Sequence, residues 1–276
     1  MNPRIENLRL QSFQSQPCIS IERALLETQF YKENYGKYSV PVMRALTFKH
    51  LCQKKTIYIG DNELIVGERG PFPKAVPTFP ELTCHTAEDL NMLNNRAMTR
   101  FACSEKDIQR YERDVIPFWK DKNMRDRVFA HVPEAWGNAY AAGLFTEFME
   151  QRAPGHTTLD GLIYQKGMND FKADIAQCLQ NLDYLNDPDA TDKAEELKAM
   201  DIACDAVIVF AERHADLANQ MAASENKTDR KKELQRIADI CRRVPAHAPG
   251  NFWEALQMYW FVHLGTITEL NGWDAM

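Results

Sequence analysis

Residues 148–156 combine a signal that ends a helix with an aromatic side chain, a guanidinium and an imidazole. Phe148 and Arg152 stand four residues apart, so on a helix they share one face. Pro154 cannot continue a helix, and Gly155 permits an unusual backbone angle. His156 follows directly, and we expect it to project from a fixed turn. Such a turn positions a polar group precisely, as a binding or catalytic site requires.

A second candidate is Asp274, which follows Trp273 shortly after a helix that Asn251 is predicted to cap. An acid at the end of a helix opposes the helix dipole, which suggests a role beyond local stability. Structural alternatives remain open for both residues. His156 fits a structural histidine beside a helix C-terminus, where the dipole favours a protonated ring. Asp274 fits an ordinary loop acid.

Composition excludes several classes of protein. The chain has 276 residues, 45% of them hydrophobic, and a formal net charge of −6. It is long enough for one large domain or two small ones. Its interspersed charges do not form the basic patch that nucleic-acid binding needs. The polar start carries no signal peptide, and no apolar run approaches about 20 residues. The sequence therefore predicts a cytoplasmic protein that binds neither nucleic acid nor membrane.

The seven cysteines are widely spaced and form no C-x-x-C pair. This spacing favours reduced thiols over a disulfide scaffold, a zinc site or an iron–sulfur cluster. Cys84 with His85, and His247, are possible fragments of a metal site, but no second pair stands at ligand spacing. Motifs for nucleotide binding, serine hydrolases and zinc proteases are missing from the sequence. We therefore expect no metal or cofactor to be held by this chain.

Hydrophobic periodicity near 3.6 predicts a mainly helical segment. Helices are predicted to begin at the following residues: Ser20, Pro41, Ser104 with Asp107, Pro133, Thr228 and Asn251. The helix after Pro133 is expected to run through Trp136, Tyr140 and Phe148 with one buried face. The helix after Asn251, with Glu254 at its third position, is expected to bury one row of side chains. That row is Phe252, Leu256, Tyr259, Trp260 and His263.

One short β-hairpin is predicted near residues 56–66. Thr56–Ile59 and Glu63–Val66 are rich in β-formers and flank Gly60-Asp61-Asn62, a turn sequence. Residues 67–80 follow, and their prolines exclude a helix. We expect a stiff, packed loop there.

Six blocks in order resemble the N-terminal part of the glycyl radical enzymes, the pyruvate formate-lyase-like family. The blocks are residues 19–24, 60–67, 77–81, 116–119, 151–156 and 269–275. The resemblance implies that residues 1–276 form the N-terminal, helical layer of one domain whose core is a ten-stranded α/β barrel. It also implies that this portion is incomplete. The family's thiyl cysteine and C-terminal glycyl-radical loop are expected beyond it, and the chain alone is expected to be inactive.

Within the family, the blocks look most like members that dehydrate trans-4-hydroxy-L-proline to 1-pyrroline-5-carboxylate. The resemblance makes His156 and Asp274 catalytic, near the hydroxyl that leaves, and gives Phe148 and Arg152 to substrate binding. His156 also resembles a histidine of the glycerol and propanediol dehydratases. The isethionate sulfite-lyases resemble this chain less there, since they carry glutamine.

The resemblance further implies a small-molecule substrate and a glycyl radical. That radical is installed by an S-adenosylmethionine-dependent iron–sulfur activating enzyme, a radical SAM protein. A homodimer is possible. Two alternatives stay open. The first is another carbon–heteroatom lyase, such as an isethionate sulfite-lyase or a glycerol or propanediol dehydratase, or a formate acetyltransferase. The second is a helical assembly module without catalytic activity.

Overall fold

The computed structural model describes residues 2–145 and 159–269. These ranges are mainly helical, as the sequence predicted, and include one small parallel sheet. The helices are α1 (Pro3–Gln14), α2 (Glu22–Asn34), α3 (Val40–Lys54), α4 (Ala87–Asn95), α5 (Glu105–Asp114), α6 (Ile116–Trp119), α7 (Met124–Phe129), α8 (Glu134–Ala141), α9 (Met168–Gln180), α10 (Ala190–Ser224), α11 (Thr228–Arg243) and α12 (Phe252–Glu269). The strands are β1 (Cys18–Ser20) and β2 (Ala75–Pro77), and a 3-10 turn covers Asp160–Tyr164.

The largest core forms around α10, which is 35 residues long. Its buried face is lined by small side chains, which let neighbouring helices approach closely: Ala206, Ala211, Ala215, Ala218 and Ala222. Helices α3, α9 and α11 pack along it. Phe261 and Leu264 of α12 are fully buried in the same core. Removal of such side chains from water supplies most of the stability of a helical layer of this kind.

A smaller core joins α2 to α4, α5 and α6 around Tyr111 and Trp119. The indole Nε1 of Trp119 donates a hydrogen bond to Thr28 Oγ1 at 2.8 Å. Strands β1 and β2 pair in parallel, with Ser20 opposite Pro77. This pairing sets the beginning of α2 beside the loop that follows β2. The position of that loop matters for the site described below.

The hairpin predicted near residues 56–66 is wrong, because the strands form elsewhere. Here the backbone pairs with side chains of later helices. Gln257 accepts from Val66 N and donates to Val66 O, at 2.8 and 2.9 Å. Trp253 Nε1 donates to Leu64 O, and Arg230 donates to the carbonyls of Gly60 and Glu63. Tertiary hydrogen bonds therefore replace the strand ladder that the β-formers suggested.

The helix predicted to begin at Pro133 does so, but it is shorter than expected. Helix α8 ends at Ala141, and Gly143 adopts a left-handed backbone with φ of 73°. The amides of Gly143 and Leu144 turn back onto carbonyls of α8, as at many helix C-termini. The predicted buried face is also wrong in this range, since no residue of α8 is buried. Glycine ended the helix before the apolar row could continue it.

Helix α12 begins as predicted but buries a different face. Asn251 Oδ1 accepts from the amide of Glu254 at 3.1 Å. Phe252 is 78% exposed and Leu256 41% exposed, so the predicted inner row is wrong at these two positions. The buried residues are Glu254, Gln257, Met258, Phe261, Val262, Leu264, Gly265, Ile267 and Thr268. The helix is apolar around most of its circumference, so periodicity could not select the buried side.

Two further helix starts are confirmed. Ser104 caps α5 by accepting from the amide of Asp107 at 3.1 Å, and Pro41 lies in the first turn of α3.

Across residues 2–145 and 159–269, no helix is long and apolar enough to cross a membrane.

Candidate functional site

The site residues predicted from sequence lie outside the described residues: Phe148, Arg152, His156 and Asp274. Phe145 is the last described residue before the first three, and Glu269 is the last before Asp274. Both Phe145 and Glu269 line one cavity of about 1000 Å³. The described chain therefore brings the neighbours of both predicted segments to the same cavity.

The cavity combines apolar walls with a charged patch. The larger wall residues are mostly aromatic: Tyr31, Tyr35, Tyr38, Met43, Phe118, Trp119 and Trp136. The charged residues that also line it are Arg23, Glu27, Arg44, Glu81, Lys122, Arg127 and Glu269. The charged patch consists of five of them: Arg23, Glu27, Arg44, Glu81 and Glu269. An apolar concavity with a few convergent polar groups is the usual form of a small-molecule site.

Arg23 is the centre of the charged patch. Its side chain is 6% exposed, and Nη1 donates to Glu27 Oε2 at 2.6 Å. Both of its terminal nitrogens also donate to Glu81, at 3.1 and 2.6 Å. Its guanidinium carbon lies 4.0 Å from the centre of the Phe79 ring, a cation–π contact. One buried cation is thus held by two carboxylates and an aromatic face.

The same guanidinium also binds the end of α12. Nε donates to Thr268 O at 2.7 Å, and Nη2 donates to Glu269 O at 3.2 Å. The last carbonyls of a helix have no intrahelical partner, and the dipole makes this end negative. A buried cation at this position satisfies both requirements. Arg23 therefore joins α2, the loop after β2 and the end of α12 in one network.

Burial and neighbouring charges shift the pKa values of the groups in this network. Burial opposes the charge of Arg23, but Glu27 and Glu81 together raise the pKa of the guanidinium above its usual value. Burial raises the pKa of Glu27 well above its usual value; Arg23 opposes this, and Glu81 adds to it. Burial, with Glu27 and Glu81 nearby, raises the pKa of Tyr31 to about 12. The cavity wall therefore contains a phenol that stays protonated at neutral pH.

Two more cations contact the last turn of α12. Lys55 Nζ donates to Thr268 Oγ1 at 3.3 Å and to Arg69 O at 3.0 Å. Burial lowers the pKa of Lys55 to about 8. Arg44 forms an ion pair with the Glu269 carboxylate. The residues directly before the predicted Asp274 segment are therefore fixed by three basic side chains.

Sequence reasoning missed this network, although one signal pointed to it. The structure caps α2 with Ile21 rather than with the predicted Ser20, and Arg23 lies in the first turn, where the helix dipole favours an acid over a cation. Glu27 follows at the next helical turn, which places acid and base on one face. The link to Thr268 spans 245 residues, and no local pattern in the sequence indicates it.

The thiols are not part of the lining of this cavity. All seven cysteines are described and unpaired, and none of them lines it. Burial raises the pKa of Cys52 and of Cys241 to about 12, so these are protonated thiols of the core. Within residues 2–145 and 159–269, no group of three or more His, Cys, Asp or Glu side chains is placed to hold a metal ion.

A family model of pyruvate formate lyase-like proteins matches residues 1–276, and the chain belongs to this family. The solved structure of a glycyl radical enzyme from Archaeoglobus fulgidus is similar to this chain.

Particular relatives are also similar to this chain. It is 49% identical to trans-4-hydroxy-L-proline dehydratase of Clostridioides difficile, over 99% of this chain and 34% of the relative. The structure of that enzyme with trans-4-hydroxy-L-proline bound matches with a TM-score of 0.92. The glycerol-bound B12-independent glycerol dehydratase of Clostridium butyricum matches at 30% identity and a TM-score of 0.91, covering 99% of this chain and 35% of that one.

An isethionate sulfite-lyase of Oleidesulfovibrio alaskensis is 31% identical over 95% of this chain and 33% of the relative. The chain thus spans about a third of the length of the curated relatives it matches.

Proposed function

We propose that residues 1–276 are the N-terminal portion of a glycyl radical dehydratase that converts trans-4-hydroxy-L-proline to 1-pyrroline-5-carboxylate and water. The observation that carries this proposal is the 49% identity to the Clostridioides difficile dehydratase over 99% of the chain. The sulfite-lyase and the glycerol dehydratase are 31% and 30% identical. The difference favours a hydroxylated proline as the substrate.

His156 and Asp274 are assigned to the hydroxyl group that leaves. Hydroxide is a poor leaving group, so cleavage of the carbon–oxygen bond needs a proton on that oxygen, which departs as water. Imidazole is suited to this general acid role because its ordinary pKa lies near neutrality. Asp274 orients the ring and stabilises its charged form. Glu269, five residues before Asp274, lines the cavity described above, which supports this assignment.

Phe148 and Arg152 are assigned to substrate binding. A proline derivative carries a carboxylate, and a guanidinium recognises carboxylates through paired hydrogen bonds. Arg152 supplies that cation, and Phe148 supplies an apolar wall that excludes water. Phe145, just before this segment, lines the same cavity as Trp136.

The radical cofactor of the proposed enzyme is a glycyl radical, which supplies hydrogen-atom abstraction through a cysteine thiyl. We assign that role to none of the seven cysteines here, since none lines the cavity. The partner that installs the radical is a radical SAM activating enzyme with an iron–sulfur cluster. The setting we propose is the cytoplasm, with a homodimer as the assembly.

Turnover by the intact gene product that contains this chain tests the function. The protein is activated anaerobically with its activating enzyme and S-adenosylmethionine, and the glycyl radical is quantified by electron paramagnetic resonance. Loss of trans-4-hydroxy-L-proline and formation of 1-pyrroline-5-carboxylate are followed by mass spectrometry. Glycerol, propanediol and isethionate are assayed in parallel. Turnover of one of these in place of hydroxyproline would reject the proposed substrate.

The variant His156→Gln tests the site, because glutamine is the residue expected there in the sulfite-lyases. We expect kcat for hydroxyproline to fall about a hundredfold or more, the usual contribution of a general acid. The radical yield should stay at the wild-type level, which separates lost chemistry from failed activation. Unchanged turnover would reject the assignment of His156.

A further inference from the structure

The cavity has an exposed rim that combines aromatic rings with cations: Tyr35, Tyr38, Lys122, Arg127 and Trp136. Its three aromatic side chains are 57%, 47% and 43% exposed in chain order. Large apolar groups that remain exposed around one concavity usually mark a binding site. The cavity volume of about 1000 Å³ leaves room for a ligand of two or more rings.

The charged patch elsewhere in the cavity is compensated internally. Arg23 pairs with Glu27 and Glu81, and Arg44 pairs with Glu269. Burial raises the pKa of Glu27 well above its usual value, which favours its neutral form. The two arginines then balance Glu81 and Glu269. The patch therefore contributes little net charge toward a ligand at the rim.

The two cations of the rim have no carboxylate partner among residues 2–145 and 159–269. Lys122 Nζ lies 4.6 Å from the centre of the Phe118 ring and donates to Phe118 O at 3.0 Å. Arg127 Nη2 donates to the hydroxyl of Tyr35 at 3.5 Å. Both side chains are exposed. Each cation is thus held beside an aromatic ring, and its charge is available to a bound anion.

The acid next to Arg127 in the sequence is used by the turn before α7. Asp126 Oδ2 accepts from Asn123 Nδ2 at 2.6 Å and from the amide of Asp121 at 2.9 Å. Asn123 is 1% exposed, so this turn is packed into the protein. The Asp126 carboxylate therefore stabilises the turn and forms no ion pair with Arg127.

We propose that the rim binds an aromatic carboxylate. The ring system packs against Tyr35, Tyr38 and Trp136, and the carboxylate lies beside Lys122 and Arg127. Aromatic faces favour a further ring through stacking and burial, and a carboxylate compensates the two unpaired cations. A neutral arene gains only the first contribution, and a small aliphatic acid gains only the second. The inference uses neither the substrate nor the catalytic residues proposed above.

The test measures binding to the intact gene product that contains this chain, without activation or turnover. Isothermal titration calorimetry compares 2-naphthoate with 2-naphthamide, which keeps the ring system but lacks the charge. We expect 2-naphthoate to bind about fivefold more tightly or better, the value of a favourable exposed ion pair. This advantage should shrink between about 20 mM and about 500 mM sodium chloride, because salt screens exposed charges. Equal affinities of the two probes at low salt would overturn the inference.

Matched charge variants locate the site. Lys122→Gln and Arg127→Gln each remove one cation of the rim, whereas Lys120→Gln removes an exposed cation that does not line the cavity. We expect each rim variant to weaken 2-naphthoate binding about three- to fivefold and to leave 2-naphthamide unchanged. Lys120→Gln should leave both probes unchanged, and Trp136→Ala should weaken both about tenfold. Equal effects of the three charge variants would show that net charge governs binding, and would overturn the inference.

A covalent map needs no variant. The photoreactive aromatic carboxylate 4-benzoylbenzoate is irradiated with the wild-type protein, and mass spectrometry identifies the labelled peptides. Labels should fall on residues 31–38 or 118–136, and excess 2-naphthoate should reduce them. Labels elsewhere, or labels that 2-naphthoate leaves unchanged, would contradict the site. Binding at the rim of a protein that does not consume hydroxyproline would support this inference and reject only the proposed function.

Discussion

The two ends of α12 are held by different chemistry. Near its beginning, neutral side chains bind an extended segment: Trp253 donates to Leu64 O, and Gln257 exchanges two hydrogen bonds with Val66. At its last turn, the partners are the cations of Arg23 and Lys55. Both arrangements satisfy backbone groups, but the second one buries a cation, Arg23, whereas the buried Glu254 near the beginning pairs with a half-exposed cation, Arg243.

The neutral contacts attach the helix to the core, whereas the ionic contacts fix its orientation. Neutral hydrogen bonds to a continuous segment hold the helix against the core, and each has a modest net value. A buried ion network gains little net stability, since desolvation offsets attraction, yet it tolerates very few geometries. We infer that the beginning of α12 anchors the helix and that its end is specified for direction.

Removal of the central cation should cause the largest loss. Arg23→Met leaves Glu27 and Glu81 without their buried partner, and we expect the free energy of unfolding to fall by about 3–5 kcal/mol. Urea denaturation of the chain, followed by tryptophan fluorescence, measures this. Arg230→Met is the control, with a smaller expected loss because its acidic neighbour Glu233 is 27% exposed. Equal losses would remove the distinction between the two arginines.

Acid should weaken the packing of α10 against α12 through one histidine. His214 is fully buried against Phe210 and Phe261, and burial lowers its pKa from 6.5 to about 4. The neutral ring is favoured in the folded state, so stability is complete above pH 6.5 and is lost as the pH falls toward 4. A shift of this size corresponds to about 3 kcal/mol.

Unfolding curves of the wild-type chain and of His214→Leu between pH 7 and 4 measure this loss. The variant should lack most of it. The buried carboxyl of Glu27 acts in the opposite sense, because its pKa is raised and acid therefore favours its folded form. If the wild type and His214→Leu lose stability in parallel, the acid sensitivity belongs elsewhere.

Loss of the Gln257 amide should have an intermediate effect. Gln257 is 1% exposed, so Gln257→Leu leaves the amide and carbonyl of Val66 buried without these partners. We expect a loss of about 2 kcal/mol in the free energy of unfolding. The loss should be the same at pH 7 and pH 8.5, since neither partner titrates. A marked pH dependence would contradict a neutral anchor.

The smallest effect is expected for Trp253→Phe. This change removes the hydrogen bond to Leu64 O, 2.8 Å long and partly buried, and keeps most of the apolar contact. We expect a loss of about 1 kcal/mol. Chemical denaturation followed by far-ultraviolet circular dichroism avoids the lost tryptophan signal. A loss as large as that of Gln257→Leu would show that ring packing, rather than the hydrogen bond, holds this position.

Local signals in the sequence predicted the helical elements well. Ser104 with Asp107, Pro41 and Asn251 act within one helical turn, and each begins a helix where predicted. Residues 56–66 failed as a hairpin because their partners lie about 190 residues later, on α12. No propensity scale contains that information.

Only part of the site could be predicted from the sequence. The family resemblance selected His156, Asp274, Phe148 and Arg152, which stay predictions because they lie outside the described residues. The Arg23 network was missed, although Arg23 stood in a position that favours an acid. A departure from a local rule is often a sign that distant residues determine the position.

The contact between Arg23 and Thr268 also sets an order in time during synthesis. Its two partners are separated by 245 residues, which a ribosome adds in about 12–50 s at ordinary elongation rates. Glu27 and Glu81 emerge early and can pair with Arg23 at once. The carbonyls of Thr268 and Glu269 are made much later, so Arg23 lacks these two acceptors until then. The hydrogen bonds from Arg23 to these carbonyls therefore form only after α12 has been synthesised.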